Sequence, residues 1–332
     1  MKGSVYLLLT SAIWGFALVA QKEGMSYLDA FSFTALRCLL GGLSLLPLVL
    51  WRNRQTGQSS DADSKKNLNE NADGISDVNQ NQNADRSPDV NSACCKKTTW
   101  IAALQCGFFL TCLMLFQQLG LPYTTVGKAA FVTSLYIPIT PLLERFSGKK
   151  ISRRIWISIG ITMFGIYLLC FSSGMEKFSI GDLCMMGAAL AASLQMLAVD
   201  KWVSKIDAVK LSCYQFLVAG ILCIPLSLFF GKLTLSGIRS SLIPLLYAGI
   251  CSCGLGYTFQ TIGQKTTSAA KAAILLSLET VFSLIAGMIF YQEQLSLIEY
   301  AGCAIMLAGV ILSQYSPSLP NDAQTTQISE KK

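Results

Sequence analysis

The stretch "FQQLGLPYTTVGKAAFVTSL", residues 116–135, returns as "FQTIGQKTTSAAKAAILLSL", residues 259–278, with nine identities in twenty positions. Phe116/Phe259, Gln117/Gln260, Gly120/Gly263, Lys128/Lys271 and Ser134/Ser277 are among them, all 143 residues apart. A second match, at an offset of 178, sets 29–48 against 207–226 and includes Asp29/Asp207, Gly42/Gly220 and Pro47/Pro225. The offsets differ by 35 residues, a gap that one polar insertion in the first copy accounts for. The chain reads as two copies of one unit.

Composition says what solvent the copies live in. Hydrophobic residues make up 52% of the 332, charged residues only 14%, and the mean hydropathy is +0.48. Soluble domains carry about a quarter charged residues. Ten apolar runs can be marked, roughly 4–21, 30–51, 99–119, 123–144, 153–172, 180–199, 209–230, 239–263, 266–290 and 295–315. Each is long enough for a helix to cross about 30 Å of hydrocarbon. None alternates every second residue, which argues against a lipid-facing barrel. The expected fold is all-α and integral to the membrane, with ten transmembrane helices. The first run, with one lysine before it and no small-residue cleavage site after it, reads as a retained span.

Five spans per copy is an odd number, so the second copy enters from the opposite side. That predicts two inverted five-helix repeats, the plan of many secondary transporters, with a site near the midplane between the halves. Basic residues set the orientation. With the N-terminus inside, the inner segments carry 19 Lys and Arg; the outer ones carry only Lys22, Lys177, Lys232 and Arg239. Both termini are therefore expected in the cytoplasm of a multi-pass protein of the cell (plasma or inner) membrane. The net charge of +7 follows from this bias and gives no reason to invoke nucleic acid.

Between spans two and three lies 52–98, rich in Asn, Asp, Ser and Gln and without apolar period. It cannot bury enough surface to offset chain entropy and is expected to be a disordered cytoplasmic insertion. The expected division is 1–51 and 99–173 for the first repeat, 180–315 for the second, and 316–332 as a disordered tail. Twelve cysteines without a CxxC pair, and no histidine, leave no metal-site spacing and imply no cofactor.

Three segments carry a family likeness: "SAIWGFALVAQK" with "FSFTALRCLLGG" in spans one and two, "FQQLGLPYTTVGKAAFVTSLYIPITPLL" across spans three and four, and "LLSLETVFSLIAGMIFYQEQLSLIEYAGCAIMLAGVILS" near the end. In their order and duplication they resemble the drug/metabolite transporter superfamily, specifically EamA-type ten-span permeases with two EamA domains. The resemblance implies a cavity between the halves and efflux or exchange of small metabolites or drugs without an ATPase domain. One departure is visible. The glutamate such proteins tend to carry after span nine is Glu293 here, but the matching first-half position reads "GKK" at 148–150.

Few charges stand inside the spans, and each costs about 2.5–3.5 kcal/mol at a helix centre. Lys128 and Lys271 are each about six residues into their helices, and two readings stay open. Their stems snorkel to the interface, or each joins backbone N–H groups as an anion-attracting station near one mouth. Glu279 falls near the middle of span nine, and its counterpart is Tyr136. A carboxyl in such surroundings suits proton coupling; the other reading is an acid that locks helices together. Arg37, whose counterpart is Gln215, is the candidate countercharge. Trp14, Gln117, Gln195, Gln260 and Tyr136 are candidates to hydrogen-bond or stack on a substrate, or else to pack helices. Pro138 and Pro141 free the carbonyls of Ser134 and Ile137. With the symmetry partners Pro47 and Pro225 they are candidate hinges, or static kinks.

The expected function is a secondary active transporter working by alternating access, an exporter of amino-acid-like metabolites or drugs, with protons as the candidate coupling ion. Nucleoside or nucleotide-sugar transport is the alternative within that class. An intramembrane enzyme is a remote alternative, because the chain has no histidine and "GD" at 181–182 has no second intramembrane aspartate. A receptor or scaffold predicts no internal symmetry. The partners expected are the lipid bilayer, a small-molecule substrate and protons; no oligomeric state is read. Epitope tags inserted beside Lys149 and beside Lys232 should report opposite compartments, and finding both on one side would remove the inverted topology.

Overall fold

Hydrocarbon offers a backbone N–H or C=O no water, so a spanning chain satisfies these groups within helices. The computed structural model describes residues 2–70, 88–123, 126–170, 179–292 and 296–315, and no strand occurs among them. The first half holds α1 (Lys2–Gly24), α2 (Ala30–Glu70), α3 (Pro88–Gly120), α4 (Val126–Thr133), α5 (Tyr136–Phe146) and α6 (Arg153–Cys170). The second holds α7 (Ile180–Trp202), α8 (Ala208–Phe230), the short α9 (Leu235–Ser240) and α10 (Leu242–Leu246), and a π-helical stretch, Tyr247–Gly256. It closes with α11 (Tyr257–Gln264), α12 (Ala269–Leu276), α13 (Glu279–Tyr291) and α14 (Leu297–Gln314).

Eight stretches among the described residues are long and apolar enough to cross a membrane: Gly3–Gly24, Ala30–Arg54, Lys97–Tyr123, Ile180–Trp202, Ala208–Phe230, Leu242–Gln264, Ala269–Phe290 and Leu297–Gln314. The other two apolar runs are not among them. The run at 123–144 is split between α4 and α5, and that at 153–172 lies on α6, which opens with Arg153 and Arg154. Large apolar side chains such as Phe229 (84% exposed), Ile243 and Leu228 face outward, as a lipid-facing surface requires. The chain does not leave helix at 52, where the insertion was expected to begin. α2 continues to Glu70 and helix resumes at Pro88. No proline stands between Pro47 and Pro88, so no residue there lacks the N–H that carries a helix on. Residues 71–87 and the tail 316–332 lie outside the described residues.

The repeated sequence folds into repeated detail. Asp29 caps α2 by accepting from the N–H groups of Phe31 and Ser32, both at 3.0 Å. Asp207, 178 residues on, caps α8 through Val209 and Lys210 at 3.0 and 3.1 Å. These bonds satisfy N–H groups that have no partner within the helix. α2 then packs along α8, and α6 along α14. A Cβ on Gly42 would lie 2.8 Å from the Leu217 side chain, and one on Gly220 would lie 2.7 Å from that of Leu39. Each helix presses a leucine into the other's glycine. α3 packs on α7 and α8, α1 on α11–α13 and on the π-helical stretch, α2 also on that stretch, and α5 on α7 and α12.

Both broken helices break at the same serine. The Ile137 N–H donates to the Ser134 carbonyl at 2.9 Å, and the Thr280 N–H to the Ser277 carbonyl at 3.1 Å, each bond one residue tighter than an α-turn. Pro138 and Pro141 follow the first break, but no proline lies in α13, so proline does not explain the shared feature. The Ser277 hydroxyl donates to the Ile274 carbonyl at 2.6 Å and so competes for the helix's own acceptors. The expectation that Pro138 frees the Ser134 carbonyl is thereby corrected, because Ile137 takes it. α2 and α8 run through Pro47 and Pro225 without interruption.

The π-helical stretch explains a shift of register. Gly107 packs against Val218 and the Gln215 carbonyl, and Gly249 packs against Leu40 and the Arg37 carbonyl, an offset of 142. Further along, Gly120 meets the Gly181 carbonyl as Gly263 meets that of Gly3, an offset of 143. One extra residue has entered between, where the π-turns accommodate it.

The seam between α6 and α14 gives a test. On Gly165 a Cβ would stand 2.7 Å from the Met306 backbone nitrogen and 2.8 Å from the Gly302 carbonyl, whereas on Gly160 it would meet nothing within 4 Å. Gly165→Ala should cost about 1–3 kcal/mol, read as a lower thermal midpoint in detergent, because backbones must part. Gly160→Ala on the same helix should leave that midpoint unchanged or raise it.

Candidate functional site

Where the two breaks meet, α13 begins at Glu279 and α5 at Tyr136, so the first residues of two half-helices face the middle of the bundle. They line a cavity of about 60 Å³ with Trp14 on α1, Arg37 on α2, Gln117 on α3, Gln195 on α7 and Gln260 on α11. By volume it admits about four or five waters. It adjoins a second space of about 30 Å³ that shares Leu18, Gln117, Thr133 and Glu279 and reaches Leu121 and Ala129.

Arg37 is 2% exposed. Its Nη2 donates to the Met114 sulfur at 2.9 Å, its guanidinium lies 5.8 Å from the centre of the Phe33 ring, and its Nε has no acceptor. A thioether is a weak acceptor for a full positive charge. Among the described residues no ion pair joins Arg37 to Glu279, and nothing hydrogen-bonds to the Glu279 carboxyl. The half-helix start does favour negative charge at Glu279. A chain of amides crosses behind them. Gln260 Nε2 donates to Gln195 Oε1, and Gln195 Nε2 donates to Gln215 Oε1, both at 3.3 Å. Trp14 lies with its ring centre 4.5 Å from that of Tyr257, which meets Phe216 edge-on at 4.9 Å. Trp14 Nε1, Arg37 Nε, the Tyr136 hydroxyl and Gln260 Oε1 are all buried without a partner. Such atoms are costly unless something else meets them.

Seven sequence candidates thus share one cavity: Trp14, Arg37, Gln117, Tyr136, Gln195, Gln260 and Glu279. Lys271 is buried in α12 away from it and has a partner of its own. Lys128 is in α4, but its side chain lies outside the described residues, as does Glu293. The prolines line neither space. Sequence reasoning passed over Tyr257, Gln21 and Met114, which line the cavity. For Met114 and Tyr257 a signal existed, since each stands two residues before its copy of the repeated segment.

The sequence profile of the EamA-like transporter family matches residues 1–65, 86–171 and 179–315, most of the chain. The chain belongs to the EamA-like transporter family. An uncharacterized transporter of Archaeoglobus fulgidus is 28% identical over 59% of this chain, and the chain spans 63% of that relative's length. The uncharacterized transporter YwfM of Bacillus subtilis is 24% identical over 99% of this chain and 100% of its own. A solved crystal structure superposes with a TM-score of 0.71 at 15% identity, covering 94% of this chain and 98% of that one, which shows a shared fold. The protein is thus a multi-pass membrane protein of a transporter family, and a family of transporters is not in general one of enzymes. For this EamA-like chain the amide relay is directly testable. Gln195→Leu leaves Gln215 and Gln260 without their shared partner and should lower stability by about 1–3 kcal/mol; an unchanged thermal midpoint would mean the relay does not form.

Proposed function

We infer that the chain is a secondary carrier of ten spans in two inverted five-helix repeats, 1–51 with 99–173 and 180–315, with both termini cytoplasmic. It exports a small amphoteric metabolite by alternating access in exchange for protons. The observation that carries this reading is the meeting, in one central cavity at two half-helix starts, of an Arg37 charge without a carboxylate partner and the Glu279 carboxyl. Arg37 offers N–H to a substrate's acidic group. Gln260 Oε1 and the Tyr136 hydroxyl meet its donors, and Glu279 carries the proton. A small cavity fits a carrier holding both gates near closure; substrate then enlarges it.

The packing supports the repeat. α2·α8 and α6·α14 each join counterparts, while α3·α7 is matched by α1·α11 and α3·α8 by α2 on the π-helical stretch. Contacts of that kind survive exchanging the halves, as alternating access needs. The Trp14–Tyr257 pair gives a nucleoside or nucleotide-sugar class its one footing, as a stacking platform.

Transport into and out of sealed vesicles, with and without an imposed pH gradient, tests the whole reading. Glu279→Gln should abolish the response to the gradient while exchange of substrate across equal pH persists; an unaltered response rejects the proton role. Arg37→Met should weaken apparent substrate affinity roughly tenfold or more, and no change would remove Arg37 from the site.

A further inference from the structure

The two ends of the bundle differ. From the central cavity the open space runs toward Leu121, just past the end of α3, and Ala129, near the start of α4, and is bordered by Met185 close to the start of α7. Asp200 is 15 residues along α7 from Met185, about 22 Å toward the other face. Neither space is lined by residues from the end of α5, the end of α7 or the start of α12. Glu144, 1% exposed at the end of α5, accepts from Lys149 Nζ at 3.1 Å, and the same ammonium reaches Asp200 Oδ2 at 2.6 Å. The Ala270 N–H, in the first turn of α12, faces the Glu144 carboxyl without making a hydrogen bond to it, and Glu144 Oε2 is buried without a partner. Ser268, at α12's own cap position, makes no side-chain cap bond. One ammonium therefore ties the end of α5, in the first half, to the end of α7, in the second.

We propose that the Glu144–Lys149–Asp200 cluster, with the amino end of α12, is a latch that holds shut the face the basic loops assign to the cytoplasm. Its repeat counterparts cannot form the same lock at the opposite mouth. The residue 143 beyond Glu144 is Gly287, that beyond Lys149 is Gln292, and the residue 178 before Asp200 is Lys22. This particular lock is therefore encoded at one face only, and it favours the state closed at the latch. Opening requires that the shared ammonium part from Glu144 or Asp200, which leaves a buried carboxylate without its countercharge.

Lys149 stays charged throughout. Burial alone would lower its pKa, but the hydrogen bond and charge of Asp200, with the charge of Glu144, outweigh this and raise it above the ordinary 10.5. Its contribution is complete below that ordinary value and fades only as pH rises through the raised one, so the ammonium itself does not release the latch at physiological pH.

The latch does not depend on what is carried; only its consequence for transport rests on the carrier reading. Amide hydrogen exchange of the full chain in lipid nanodiscs reads it directly. Lys149→Glu should speed exchange at the end of α5 and the start of α12 roughly tenfold or more, with exchange at the end of α3 and start of α7 unchanged or slower. Lys149→Glu with Asp200→Lys rebuilds one ammonium between two carboxylates and should restore protection. Equal speeding at both faces, no change at either, or failure of the double variant to recover would each overturn the proposal. If vesicles show no transport but these exchange results hold, the carrier reading fails and the latch stands.

Discussion

Hydrocarbon accepts no unpaired polar group cheaply, and most of this architecture follows from that cost. Helices absorb the backbone groups. Where helices stop, neighbouring side chains take over: Asp29 and Asp207 at the starts of α2 and α8, Ser179 and Ser296 at those of α7 and α14. The two interior breaks are tolerated because their tightened turns still pair the Ser134 and Ser277 carbonyls. Four of the unmet buried atoms stand at the central cavity, on Trp14, Arg37, Tyr136 and Gln260. They give the cavity its chemical character.

Much of the fold was legible because apolar length and duplication are written directly in the residues. The 143-residue repeat locates both breaks, since the tightened turn sits on the matched serines. The prolines misled. They mark the first break but not its cause, and only comparison with the proline-free copy separates the two. A single offset also hid the inserted residue in Tyr247–Gly256, because a π-turn changes register without leaving a glycine or proline to announce it. The polar continuation of α2 was missed for a related reason: composition argues against burial, and burial is not required to propagate a helix that is already nucleated.

The site was legible through cost. Charges and amides inside apolar runs need an account, and seven of the nine so chosen line one cavity. Lys271 shows the limit of that logic, since a buried ammonium can be accounted for locally by a partner. The Glu144–Lys149–Asp200 cluster was illegible because Asp200 lies 51 residues from Lys149, and each stretch alone looks like an ordinary charged helix end.

The seams α2·α8 and α6·α14 set each helix against its own twin, as Gly42 on Leu217 and Gly220 on Leu39 make plain. In the carrier proposed above, a contact of that kind is mapped onto itself when the halves trade roles. Damage there would therefore raise the energy of both extremes of its cycle alike, slowing or unfolding the protein without choosing a direction. Vectorial bias has to be encoded off that axis, where the copies have diverged.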